Sequence, residues 1–192
     1  MSRSDGRRKV LILLGSPRKK GNSAALAEQI QKGVGSTGGV AETVFLHGMN
    51  IHPCQSCYVC QKPESKGCAI EDDMQGVYPR LIEADAWVIA SPVYWFTMSG
   101  QTKIFLDRCF ALPAYKKAAF AGKRIAIAMS YADSDPFTSG CVNALRTFQD
   151  IFRYVGANIV GMVYGSAMDA GEIRSNGDLM RRAEELGRNL VE

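Results

Sequence analysis

The chain has 192 residues, 46% of them hydrophobic and 22% charged, enough for one domain with a substantial core and short for two. No apolar run approaches the ~20 residues of a membrane-spanning helix. Net charge is +4, from 23 basic and 19 acidic residues. Arg3, Arg7, Arg8 and Lys9 supply most of that excess, which leaves no basic stripe of the kind nucleic-acid binding needs.

Residues 1–8 read as a flexible tail, and residues 9–192 as a single domain. Val10–Leu14 is apolar and follows basic residues, as in a signal peptide. It is too short for one and stops at Gly15-Ser16-Pro17, so it reads instead as a strand buried on both faces. The six cysteines are therefore expected in a reducing, cytoplasmic setting, where a dense group suggests metal or redox work. Ala24–Val34 is helical, with Leu26, Ile30 and Val34 on one stripe. Gly35–Gly39 breaks it, and Glu42–Leu46 reads as a second strand.

His47–Asp73 is a long loop that holds four cysteines. Asp72 and Asp73 start the next helix, one of them as its cap. That helix carries Met74, Val77, Leu81 and Ile82 as far as Asp85. Ala86–Ala90 is a third buried strand and Gln101–Leu112 a helix. Arg124–Met129 is a fourth strand, Cys141–Tyr154 a helix, Asn158–Tyr164 a fifth strand and Gly177–Val191 a closing helix. Five short strands alternating with five helices predict an α/β doubly wound parallel sheet. Ligands of such sheets bind beyond the carboxyl ends of the strands. The loops in question are Gly15–Ser23, Ser91–Gly100, Ser130–Gly140 and the cysteine loop.

Gly15–Ser23 suits a phosphate monoester. Ser16, Asn22 and Ser23 offer side-chain hydrogen bonds, and Gly21 permits close backbone approach. The helix start adds unpaired N–H groups and a positive dipole end, and Arg18 adds a cation. No Gly-Lys-Ser/Thr occurs, which argues against a nucleoside triphosphatase. Gly33-x-Gly35-x-x-Gly38 matches the dinucleotide fingerprint in letters only. It ends a helix instead of opening one, so it reads as a helix stop and turn. In the second loop, Tyr94, Trp95 and Phe96 are costly to expose. One is expected to pack inward, and a flat aromatic ligand would account for the others, since ring stacking contributes about 0.5–1.5 kcal/mol.

Three motifs occur in order. They are Gly15-Ser16-Pro17-Arg18-x-x-Gly21-Asn22-Ser23, then Cys54-x2-Cys57-x2-Cys60…Cys68-x2-Glu71-Asp72-Asp73-Met74, then Ser91-Pro92-Val93-Tyr94-Trp95-Phe96…Lys103…Asp107-Arg108. Together, over most of residues 9–165, they resemble the flavodoxin-like NADPH-dependent FMN reductase family, in its iron–sulfur flavoprotein branch. The resemblance implies a five-stranded sheet in the order 2-1-3-4-5 with helices on both faces. It implies FMN, with the phosphate on Ser16, Arg18, Gly21, Asn22 and Ser23. The ring would lie against Pro92, Val93, Tyr94, Trp95 and Phe96, and Ser130–Asp135 would form the third flavin loop, with Ser130 and Asp133 as contacts. It also implies NAD(P)H as co-substrate, although no nicotinamide motif is visible, and a homodimer or homotetramer.

Cys54, Cys57, Cys60 and Cys68 leave three alternatives open: a 4Fe-4S iron–sulfur cluster, free or redox-labile thiols, and structural zinc. The last gap is seven residues and Ala69 follows, unlike the bacterial ferredoxin run. His47 and His52 read as solvated loop residues, Cys109 and Cys141 as buried packing. Lys103 and Asp107 read as a helix-surface ion pair, with a role in assembly as the alternative. No Gly-x-Ser-x-Gly elbow suggests a serine hydrolase.

The expected activity is FMN-dependent transfer of electrons from NAD(P)H to a quinone, nitroaromatic, metal ion or free flavin. The flavin carries the chemistry, so no catalytic side chain is expected. The alternative is an electron-transfer protein between a ferredoxin-like donor and an acceptor.

Overall fold

The computed structural model describes residues 6–192. The first five residues of the expected tail lie outside that range. Gly6, Arg7 and Arg8 are exposed, and the Arg8 carbonyl already accepts from Val40 N–H at 2.9 Å.

In chain order the elements are β1 (Lys9–Leu14), α1 (Asn22–Ser36), β2 (Val40–Phe45), α2 (Met74–Glu83), β3 (Ala86–Tyr94) and β4 (Thr97–Met98). There follow α3 (Gly100–Arg108), α4 (Leu112–Tyr115), β5 (Arg124–Tyr131), α5 (Cys141–Tyr154), β6 (Asn158–Ser166) and α6 (Gly177–Asn189). The main strands are parallel in the order β2-β1-β3-β5-β6. This is the expected 2-1-3-4-5 arrangement, with β5 and β6 as its fourth and fifth strands. Register runs evenly across the centre, where Ile12 stands between Thr43 and Val88 and Val88 in turn pairs with Ala126.

Alternate residues along each strand feed two cores. Leu11, Leu13, Trp87, Ile89, Ile125 and Ile127 pack against α2, α3 and α5 through Val77, Leu81, Phe105, Phe148 and Phe152. Val10, Ile12, Val88, Ala90, Ala126 and Ala128 face α1 and α6 through Leu26, Ile30, Val34, Ala183 and Leu186. The second face is rich in alanine, so α1 can lie close to the strands. Each fully buried aliphatic side chain contributes about 1.5–3 kcal/mol.

Two expectations change. Ser91–Gly100 is not all loop. β3 runs on to Tyr94, turns through Trp95 and Phe96, and returns as β4 paired antiparallel, with Val93 opposite Met98. Both turn residues have positive φ, 49° and 67°, as two-residue hairpins require. Glycine and asparagine normally announce such a turn, and here aromatics fill it. The helix expected over Gln101–Leu112 ends at Arg108, continues as a 3-10 turn over Cys109–Ala111 and resumes as α4, with Pro113 in its first turn.

Candidate functional site: a cleft at the strand ends and a cysteine cavity

The carboxyl ends of β1, β3 and β5 open on one cleft of about 210 Å3. The first loop supplies Ser16, Arg18, Gly21, Asn22 and Ser23 to its wall, and the end of β3 supplies Pro92, Val93 and Tyr94. Ser130, Tyr131 and Ala132 follow from β5, and Ala167 and Met168 from β6. Nine of the twelve residues expected around a flavin thus meet in one place. Tyr131 and Ala132 belong to the expected third loop, whereas Ala167 and Met168 are additions to the expected set. The signal for the last two is present in the sequence, because they follow a predicted strand and strand-end loops are where ligands bind.

The loops are locked together by small residues. Gly15 N–H donates to the Ala90 carbonyl at 2.8 Å. A Cβ on Gly15 would stand 1.8 Å from Thr102 Oγ1, so only glycine lets α3 come this near. Ser99 Oγ donates to the Gly15 carbonyl at 2.7 Å and contacts the hydroxyls of Ser91 and Thr102 at 3.3 and 2.9 Å. The Gly15–Ser23 loop then doubles back. Ser16 Oγ accepts from Arg18 N–H at 3.0 Å, and Gly21 N–H donates to the Arg18 carbonyl at 3.0 Å. Gly21 precedes α1 with no side chain capping the helix. Its first-turn N–H groups are therefore left to water or a ligand. Among the described residues the Arg18 side chain has no hydrogen-bond or ion-pair partner.

Asn22 differs from expectation. Its amide N–H groups donate to the carbonyls of Ala167 and Asp169, and its oxygen accepts from the N–H groups of Gly171 and Ile173. The side chain binds the loop after β6, so at the cleft Asn22 offers its backbone. Trp95, Phe96 and Asp133 do not wall the cleft. Trp95 is 92% exposed at the hairpin tip. Tyr94 and Phe96 are exposed as well, so none of the three aromatics packs inward. Strand alternation gives the inward position to Met98. The Asp133 carboxylate accepts from Ser134 N–H at 2.8 Å. Burial raises the Tyr131 phenol above its ordinary range, so it stands in the cleft as a neutral group.

Cys54, Cys57, Cys60 and Cys68 wall a second, smaller cavity of about 70 Å3, with Asp107, Arg108 and Phe110. Cys54 and Cys57 are exposed, Cys60 and Cys68 half-buried. An all-sulfur set around one cavity suits a thiolate-bound group. Among the described residues, however, no three His, Cys, Asp or Glu side chains are gathered closely enough to hold a metal ion.

Sequence reasoning misses what anchors this loop. Arg108 and Asp72 pair with side chains 1% and 0% exposed. The guanidinium donates to both carboxylate oxygens, at 2.5 and 3.1 Å, to the His52 carbonyl at 2.8 Å and to Cys68 Sγ at 3.4 Å. Tyr115 Oη donates to Gln75 at 2.7 Å and accepts from Cys68 N–H at 3.1 Å. Gln75 holds the carbonyls of Cys68 and Ile70.

A sequence model of the family described as NADPH-dependent FMN reductase matches residues 8–171. This chain belongs to that family. It is 33% identical to an iron-sulfur flavoprotein of Methanocaldococcus jannaschii over 75% of this chain and 70% of that protein. It is 29% identical to an iron-sulfur flavoprotein of Archaeoglobus fulgidus over 96% of this chain and 79% of that one. The fold matches an NAD(P)H:quinone oxidoreductase from Methanothermobacter marburgensis with a TM-score of 0.73 at 22% identity, covering 96% and 98% of the two chains. The chain is an FMN-dependent oxidoreductase of the NAD(P)H-using type.

In this FMN reductase the titratable groups around the cysteine cavity are strongly biased. Burial opposes the Asp72 charge, but bonds from Arg108 and the His52 and Met74 N–H groups hold its carboxyl below the usual range. Burial also opposes the Arg108 charge, yet the Asp72 bond leaves it more firmly protonated than usual. As expected, Cys109 and Cys141 are buried. Burial pushes the Cys141 thiol up to about 11 and Cys109 higher still. His47 and His52 are exposed as expected, although His47 Nδ1 meets Gln101 at 3.0 Å. Among the described residues no helix is long and apolar enough to cross a membrane.

Proposed function

We propose that FMN lies in the strand-end cleft and that this chain uses it to carry electrons from NAD(P)H to a small-molecule acceptor or redox protein. The phosphate is assigned to Ser16, Arg18 and the backbone from Gly21 to Ser23, the ring to Pro92, Val93 and Tyr94, with Ser130 alongside. When bound, FMN supplies the hydride-accepting and electron-passing chemistry. The carrying observation is the convergence of three strand-end loops on a helix start that has no side-chain cap, beside Arg18, whose side chain has no partner among the described residues. The partial positive charge of that helix end and the Arg18 cation favour a phosphate dianion. Pro92, Val93 and Tyr94 offer an apolar wall that fits an aromatic ring and keeps water from one face. Residues 9–192 act in this reading as one flavin-binding domain. The family resemblance adds a homodimer or homotetramer, which light scattering of the FMN-bound protein decides.

A second reading is electron transfer through a cluster. It is favoured by the shared cavity of the four cysteines and by the names of the relatives. Cys54, Cys57, Cys60 and Cys68 would hold a 4Fe-4S group, which supplies one-electron transfer. Arg108 and Tyr115 tie Cys68 to the fold and so fix one end of the ligand set.

Stopped-flow mixing of anaerobically purified, FMN-loaded protein with NADPH and with NADH tests the first reading. Bleaching of the oxidised flavin by either donor is the expected result. Bleaching by reduced ferredoxin alone, with stoichiometric iron and sulfide in the same sample, would establish the second reading instead.

A further inference from the structure

Every hydrogen-bonding position of the Asn22 amide is taken. The nitrogen donates to the Ala167 and Asp169 carbonyls at 3.3 and 2.9 Å, and the oxygen accepts from Gly171 and Ile173 N–H at 2.9 and 3.3 Å. Two donors and two lone pairs are the full capacity of a carboxamide. The two carbonyls and two N–H groups also fix which way the amide points. Nothing is left over for a phosphate, so the side chain acts on the loop after β6.

That loop is tied down along its whole length. Glu172 accepts from the N–H groups of Met168 and Asp169 at 2.6 and 2.8 Å. Ala167 N–H donates to the Tyr131 carbonyl at 2.8 Å, and Ser166 Oγ to the Asp133 carbonyl at 2.6 Å. Arg174 pairs with Glu28 of α1 at 2.6 Å. At the centre of these ties stands Met168. Met168 is 68% exposed and forms part of the cleft wall. Asn22 grips the carbonyls on either side of it, which sets Met168 beside the first turn of α1. A rigid loop thus presents a bare apolar side chain at the rim of an uncapped helix start.

We propose that Met168 is the wall over the phosphate end of the bound flavin, and that Asn22 is the positioning residue that holds it there. This rests on the cleft being the FMN site. An unbranched thioether covers an irregular edge well. By displacing water it lowers the local dielectric, so the α1 N–H groups and Arg18 act more strongly on the phosphate and salt screens them less. Asn22 thereby serves the phosphate at one remove, through the loop it clamps.

The test is a titration with FMN and with riboflavin, which lacks the phosphate, at low and high salt. Wild type, Met168→Ser, Asn22→Ala and the double variant are compared. Met168→Ser should weaken FMN about tenfold, steepen its salt dependence and leave riboflavin nearly unchanged. Asn22→Ala should weaken FMN similarly alone and add little in the Met168→Ser background, since coupled residues are not additive. Unchanged FMN affinity and salt dependence in Met168→Ser would overturn the proposal, and so would equal weakening of riboflavin. Met168 is exposed, so that arm decides even if Asn22→Ala fails to fold. Wild type that binds no FMN would remove the cleft reading and this one together. Wild type that binds FMN while Met168→Ser is neutral removes this one alone.

Discussion

Arg108 and Asp72 carry opposite charges in a place almost without water, and each depends on the other. Removing one partner of a buried pair costs about 3–5 kcal/mol, because the other is left charged and unpaired. Arg108→Ala should therefore destabilise the protein by about that much in urea unfolding. Its pH dependence has a definite sign. In wild type the Asp72 carboxyl is held below its ordinary value. The stability it contributes is complete above that ordinary value and is lost as pH falls through the folded one. Without Arg108, burial raises the carboxyl instead, so the variant's native state binds the proton more readily than its unfolded chain. The gap between the two proteins should narrow from pH 7 towards about pH 4. A gap of the same size at both pH values would contradict this account. The sequence contains both residues but not their partnership. Lys103 and Asp107 do form the expected surface pair, at 2.6 Å. Arg108 is one step further round α3 and points inward, across a fold-level contact that helix spacing does not reveal. Asp72 reads in the sequence as a cap, and it does accept from Met74 N–H at 3.0 Å with the carboxylate that holds Arg108.

Helices α1 and α6 meet closely because two glycines face each other across the contact. A Cβ on Gly187 would stand 2.0 Å from the Ile30 carbonyl oxygen, and one on Gly33 1.9 Å from that of Glu184. Both obstacles are backbone and cannot rotate away. Gly187→Ala should cost about 1–3 kcal/mol or more through overpacking. Gly35, two residues along α1 from Gly33, has open space where a Cβ would stand, with nothing within 4 Å. Gly35→Ala should therefore stabilise slightly, by about 0.5–1 kcal/mol, as alanine favours the helix. Paired thermal melts measure the contrast, and equal effects of the two substitutions would refute the packing account. The glycine run that imitates a dinucleotide fingerprint is thus explained by packing at Gly33 and by a turn at Gly38, where φ is +80°. The helix-end reading of that run is available from its position, whereas the tight α1–α6 contact is not. The Trp95–Phe96 hairpin shows the same limit. Its turn is set by backbone sign, and aromatics do not advertise positive φ.

Across the whole molecule, strand order and ligand edge are legible in the sequence because apolar runs, glycine stops and helical stripes agree with one another. The proposed phosphate loop is legible because its chemistry is local to Gly15–Ser23. The wall from β6 is legible only as a strand-end loop, while its clamping by Asn22 is not, because the two segments lie far apart in the chain. Family membership fixes the class of reaction, and the strand-end cleft is the seat proposed for its flavin. The central claim is that the FMN phosphate rests beside Arg18 at the start of α1. Arg18 is exposed, with no partner among the described residues, so reversing its charge should leave the fold intact. Fluorescence titration of Arg18→Glu against wild type, with FMN and riboflavin side by side, tests the claim most directly. The account predicts about tenfold or greater weakening of FMN, since a charge-assisted contact becomes a repulsion, with riboflavin nearly unaffected. FMN affinity equal to that of wild type would contradict it.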